Sequence, residues 1–286
     1  MLTNLFDGVA LGMLLFVLAV GLSVTLGLMN FINLAHGAFA MAGGYVAVVL
    51  MRHYGVPFFL CLPIAFLTTA IAGAILERTL YVRLYDKSHL EQVMFTIGLT
   101  FMAMATADYF MGASPQIVDA PPSLAGNVSI GDLEFSRYKI FVIVFCAVLA
   151  FGLQTALTKT RFGSRLRAAV DDQRVAQGLG IDVTKIFAMT FALGSGLAGL
   201  AGALGSPIIS LDPIFPLKYM IYFMIVVSVG GVTTITGPFL ASLLLGVADV
   251  AGKYYVPTVG GFIIYTLMVA VLIFRPQGLF GRPVKR

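Results

Sequence analysis

The chain has 286 residues, 59% of them hydrophobic and only 11% charged, with a mean hydropathy of +0.97. Soluble domains carry about 25% charged residues, so this composition excludes a soluble globular enzyme and points to a polytopic membrane protein made of spans and short loops. The net charge of +5 is assigned to loops facing the cytoplasm, not to nucleic-acid binding.

Nine apolar stretches, at about 5–28, 32–51, 57–77, 92–111, 139–158, 184–206, 217–235, 237–253 and 258–275, approach the length needed to cross a hydrocarbon core. The first lacks a basic leader and a small-residue cleavage site, so it reads as a retained helix. At the start of the second, in NFINLAHGAFAMAGGYVA, the polar residues Asn30, Asn33 and His36 each require a hydrogen-bond partner at membrane depth. They are read either as the lining of a translocation path or as satisfied structural groups. Thr96, in the fourth stretch, joins Asn33 and His36 as a candidate donor to a small polar solute. Cys61 and Cys146 each sit inside an apolar stretch and read as small buried side chains.

Residues 112–138, with Pro115, Pro121 and Pro122, form the longest loop on the side opposite the basic loops, and NVSIGDLEF suits a short hairpin. The segment Lys159–Asp182, KTRFGSRLRAAVDDQRVAQGLGID, is the one long polar handle. Within it Leu166, Ala169, Val170, Gln173 and Ala176 recur at helical spacing among Arg165, Arg167, Asp171, Asp172 and Arg174, which predicts an amphipathic helix at about 163–179. Such a helix docks a partner through a modest apolar patch steered by charge, or lies solvated beside lipid headgroups.

In the sixth stretch, GSGLAGLAGALG spaces Gly194, Ala198 and Gly202 four apart, with Ser195, Gly199 and Ala203 on the adjacent row. Small residues at that spacing let helix backbones approach closely, within the chain, at a subunit interface or along a path wall. GGVTTITGP, at 230–238, interrupts the uncharged run from Tyr219 to Ala248, so one helix ends and another begins there. Non-helical backbone at membrane depth is tolerated where it is buried in protein or lines a wet cavity, which makes Thr233 and Thr234 candidate path residues.

Thirteen of the 18 Lys and Arg residues fall in loops on one side, which makes that side cytoplasmic, with the C-terminus inside and the N-terminus outside. Trp is absent, so tyrosines at span ends, including Tyr54, Tyr81, Tyr85, Tyr138, Tyr254 and Tyr255, are the expected interfacial anchors. No G-x-x-x-x-G-K-[ST] string occurs, and His36, His53 and His89 lie in different segments, so neither ATP hydrolysis, a metal site nor other catalysis is expected of this chain. Mid-span ionisable residues are nearly absent, which argues against an ion-coupled secondary transporter.

Six pieces carry a resemblance: AHGAFAMAGGYVA, ILERTLYVRL, MFTIGLTFM, RFGSRLRAAVDDQRVAQGLGIDVTKI, GGVTTITGPFLASLLLG and IFRPQGLFG. In this order, over nearly the whole chain, they resemble the inner-membrane permease of branched-chain amino-acid ABC importers, LivH type. Thr233 departs from the pattern where a glycine is common. The resemblance implies an all-α bundle of about 8–10 membrane segments with broken helices, a single permease domain over 1–286 in the bacterial inner membrane. It also implies a LivM-type second permease, two cytoplasmic ATPases that hold ATP and Mg, and a periplasmic binding protein. Residues 159–182 match the coupling region, so Arg161, Gly163, Arg165, Leu166, Arg167, Ala169, Val170, Asp171, Asp172, Gln173, Arg174, Ala176 and Gly180 are the expected ATPase-coupling residues. The implied cargo is a branched-chain or related amino acid, with urea, short amides or aromatic acids as the alternative.

Overall fold

The computed structural model describes residues 1–29, 31–131, 133–231, 235–275, 278 and 279. Its helices are α1 (Leu2–Met29), α2 (His36–Tyr54), α3 (Phe58–Thr79), α4 (His89–Met111), α5 (Arg137–Lys159), α6 (Arg161–Asp171), α7 (Gln173–Gly178), α8 (Val183–Gly205), α9 (Phe215–Gly230), α10 (Thr236–Tyr255) and α11 (Ile263–Phe274). The apolar stretches correspond in order to α1–α5 and α8–α11. Of these α1, α3, α4, α5 and α8 are long and apolar enough to cross a membrane. α9, at 16 residues, rises about 24 Å, short of a core about 30 Å thick.

Between α4 and α5 the expected hairpin forms from β1 (Asn127–Ile130) and β2 (Leu133–Ser136), antiparallel with Ile130 opposite Leu133. Gly131 takes φ 62° at its tip, the left-handed geometry that a two-residue hairpin turn requires. α4 starts at a capping box: the Ser88 hydroxyl accepts from the Glu91 N–H, and the Glu91 carboxylate accepts from the Ser88 N–H at 2.9 Å.

The chain divides into two compact units, one of residues 1–20, 119–150 and 221–286, the other of 21–118 and 151–220. In the first, α1 lies on α10, where a side chain at Gly12 would run into the backbone of Ser242 and Leu243, and Phe16 meets Phe239 edge to face at 5.2 Å. Asp7 and Lys139 pair at 2.8 Å, and Asp249 pairs with Lys253 at 2.7 Å. α9 ends and α10 begins on either side of the expected break, and a side chain at Gly230 would collide with Pro238. Asn30, Thr233 and Thr234 lie outside the described residues.

In the second unit α2, α3 and α8 pack on one another, and α6 and α7 rest against α8. The small-residue rows of α8 are buried within the chain: Gly199 approaches Thr69 of α3 and Gly43 of α2, and a side chain at Gly202 would collide with the Ala40 carbonyl. Of the expected tyrosine anchors, Tyr54, Tyr254 and Tyr255 are exposed, but Tyr81 and Tyr138 are buried. Tyr81 is turned inward because the chain coils into a 3-10 turn, Tyr81–Leu84, directly after α3. Its ring then lies among Phe31, Phe95 and Phe191.

Candidate functional site

Both groups of candidate residues that can be described fall in the second unit. Asn33 is buried, and its Oδ1 accepts from the Ala35 N–H at 3.1 Å and from the Tyr81 hydroxyl at 3.2 Å. It therefore closes the turn that starts α2 and ties it to the 3-10 turn after α3. His36, the first residue of α2, is buried, and its ring fills the space left by the missing side chain of Gly21. The Thr96 hydroxyl donates to the Gln92 carbonyl of its own helix at 2.8 Å. Asn33 and Thr96 are thus satisfied within the protein.

The residue that joins this region together is Gln92, which the sequence did not single out. Its Oε1 accepts from the Ile32 N–H at 3.3 Å, and its Nε2 donates to the carbonyls of Leu84 at 3.1 Å and Lys87 at 3.3 Å. One buried amide thereby stitches the turn before α2 to the loop before α4. Beside it the Tyr85 hydroxyl donates to the buried Glu77 carboxylate at 2.8 Å. Burial, and then the neighbouring Glu77 charge, push the Tyr85 hydroxyl well above its ordinary pKa, so it remains a donor.

The segment 159–182, the expected coupling region, is two helices, not the single helix expected at 163–179. Asp172 leaves helical geometry at φ −153°, ψ 105°, and its carboxylate accepts from the N–H groups of Arg174 at 2.9 Å and Val175 at 3.0 Å. It ends α6 and caps α7, the use for which a short acidic side chain is suited. Gly180, at φ 79°, ends the second helix by a turn that a side chain would strain. Asp182 then caps α8, accepting from the Lys185 N–H at 3.0 Å, which is the main reason its carboxyl is held below the usual range.

The apolar row of this segment faces inward. Gly163, Leu166, Ala169 and Ala176 are buried and Val170 is half-buried, whereas Gln173 is exposed. Leu166 and Phe162 line a small cavity with Leu157 of α5 and Thr190, Leu193 and Leu197 of α8. Gly163 abuts the Leu157 backbone so closely that a side chain would collide with it, and the Arg167 guanidinium donates to the Leu157 carbonyl. The expected apolar docking patch is therefore the contact with the chain's own helices, and Arg167 helps to fix it. What remains on the outer face is Arg161, Arg165, Asp171, Asp172, Arg174, Val175 and Leu179, all exposed. Among the described residues no group of three His, Cys, Asp or Glu side chains is placed to hold a metal ion.

Residues 4–272 match the sequence profile of the family described as the branched-chain amino acid transport system, permease component. The chain belongs to this family. It is 30% identical over 282 residues to the probable branched-chain amino acid transport permease protein LivH of Methanocaldococcus jannaschii, covering 94% of this chain and 89% of the relative. It is 29% identical to the high-affinity permease BraD of Pseudomonas aeruginosa, covering 99% and 96%. It is also 25% identical to LivM of Salmonella typhimurium, covering 96% of this chain and 69% of that one. No solved structure matches. The permease thus resembles both LivH and LivM proteins, and the segment with the charged outer face, α6–α7, lies inside the matched region.

Proposed function

We propose that this permease is the membrane subunit of an ATP-driven importer for branched-chain or related amino acids. It works with a LivM-type second permease, two cytoplasmic ATPases that carry ATP and Mg, and a periplasmic binding protein. The whole of 1–286 acts as one permease domain of the cytoplasmic membrane, with 159–182 as its coupling region on the cytoplasmic side. The observation that carries this reading is the pair α6–α7, clamped inward by Leu166, Ala169 and Ala176 and presenting a charged outer face with exposed Val175 and Leu179.

Such a segment transmits force because it cannot slide independently of α8. When ATP draws the ATPases together, α6 and α7 are displaced, and the close packing of α8 on α2 and α3 carries the displacement into the bundle. The access equilibrium moves only by as much as ATP and cargo prefer one state over the other. The test is to purify the chain with its genomic neighbours through a tag on it and measure ATP hydrolysis with candidate ligands and the binding protein. Copurifying ATPases stimulated by leucine-like ligands support the reading. Stimulation by urea, amides or aromatic acids alone redirects the substrate, and absence of any ATPase overturns the importer.

A further inference from the structure

At the end of α8 remote from α6 and α7, the second unit holds a groove of about 590 Å³. One wall is a single face of α4, Phe101, Met104, Ala105 and Asp108, spaced three, four and seven residues along the helix. Opposite it stand Asp212, Pro213 and Ile214. The rims are tied together: the Gln116 N–H donates to the Leu211 carbonyl at 2.7 Å, and the Leu211 N–H returns a bond to the Gln116 carbonyl at 2.9 Å. Arg52 secures the same segment, donating to the Ile117 carbonyl at 2.8 Å and to the Gln116 side chain. The groove is therefore preformed.

Its two carboxylates find no partner among the described side chains. Asp212 Oδ1 is buried without a hydrogen-bond partner, and among the described residues no side-chain bond or ion pair engages Asp108. An unpaired buried carboxylate oxygen costs free energy unless something completes it. Two carboxylates lining one groove, with apolar walls alongside, suit a cation bonded to a hydrocarbon body.

We propose that this groove takes an amino-acid solute, its ammonium between Asp108 and Asp212 and its aliphatic side chain against Phe101, Met104 and Ile214. Ammonium donates three hydrogen bonds, enough for both carboxylates, and charge-assisted bonds of this type are the strong ones. The proposal rests on the amino-acid reading above and adds a criterion to it. A solute without an ammonium group, such as urea or an aromatic acid, leaves the carboxylates unpaired and is disfavoured. A basic side chain of a delivering protein would satisfy the charges equally, but it leaves the apolar walls of a groove this size without a role.

The test uses the assembled importer, purified through a tag on this chain. Binding of leucine, isoamylamine, which lacks the carboxylate, and 4-methylpentanoate, which lacks the ammonium, is measured by equilibrium dialysis without the binding protein. Leucine and isoamylamine are expected to bind and 4-methylpentanoate to fail. Combined Asp108→Asn and Asp212→Asn is expected to weaken leucine at least about tenfold, with affinity kept by Glu at both positions. Unchanged leucine affinity in the Asn variant overturns the proposal. So does loss of the binding protein or the second permease from that variant, which would make the groove a protein-docking surface. Cys61 and Cys146 are buried, so Ala105→Cys gives a second readout in the otherwise native chain. Its thiol should react faster with a cationic than an anionic methanethiosulfonate and be protected by leucine, and equal unprotected rates overturn the groove. Hydrolysis stimulated by urea or an aromatic acid but not by leucine overturns the substrate reading instead, and the charge preference of the Ala105→Cys thiol still decides the groove.

Discussion

α4 and α8 have the same length, 23 residues, and nearly equal mean hydropathy, yet 83% of the apolar window of α8 is buried against 17% for α4. Hydropathy therefore does not decide which membrane helix forms the core. Side-chain size does. In lipid, apolar surface gains nothing by leaving the hydrocarbon, so helices associate where small residues allow close van der Waals contact. α8 offers Gly194, Ser195, Gly196, Ala198, Gly199, Ala201, Gly202 and Ala203, all buried, whereas α4 turns Met94, Met102, Tyr109 and Phe110 outward.

The comparison is broken most sharply by exchanging sizes. Gly202→Val should cost about 3 kcal/mol, because the new side chain meets the Ala40 backbone, and the purified protein should melt early or aggregate. Gly98→Leu in α4 has open space within 4 Å and should change stability by less than about 0.5 kcal/mol. Both are read from thermal melts followed by size-exclusion chromatography. If the two variants melt alike, size does not set the burial.

The polar ties between the helices give the next largest effect. Asn33→Ala leaves the Ala35 N–H and the Tyr81 hydroxyl without their acceptor and should cost about 1–3 kcal/mol. Thr96→Val removes a hydroxyl bonded only to its own helix among the bonds described, so transport should fall less than about twofold. A large loss of transport without loss of stability would restore Thr96 as a path residue.

The spans were legible because a twenty-residue average of hydropathy survives local error, and the hairpin and the 230–238 break because turn residues announce them. The polar segment 159–182 was half legible. Periodicity identified Leu166, Ala169 and Ala176 as one face, but it carries no information on whether that face meets a partner or the chain's own α8. The kink at Asp172 was hidden because an aspartate on a helix surface and one capping the next helix look alike in sequence, doubly so in the pair Asp171–Asp172. Tyr81 looked like an interfacial anchor because it ends a span, and only the 3-10 turn after α3 carries it inward. Gln92 gave no signal, since Ile32, Leu84 and Lys87, which it ties together, lie in segments whose meeting depends on tertiary structure.

Two smaller effects sharpen the contrast between the inner and outer faces of α6–α7. Arg165→Glu with Arg174→Glu reverses exposed charges and should lower ATPase copurification roughly tenfold through weaker electrostatic docking, with an unchanged melt. Asp182→Asn removes the ionised cap of α8 and its 3.0 Å pair with Lys185. The folded Asp182 carboxyl is held low, so its contribution is present above the unfolded carboxylate pKa of about 3.9 and is lost as pH falls through the folded value. The melting difference between wild type and Asp182→Asn should therefore persist at neutral pH and vanish in strong acid.

Cysteine crosslinking to the copurified ATPase tests the central assignment most directly. Val175→Cys and Leu179→Cys, on the exposed outer face, should crosslink, while Leu166→Cys, buried against α8, and Met102→Cys, on the outward face of α4, should not. Crosslinks from position 102 but none from 175 or 179 would contradict the account.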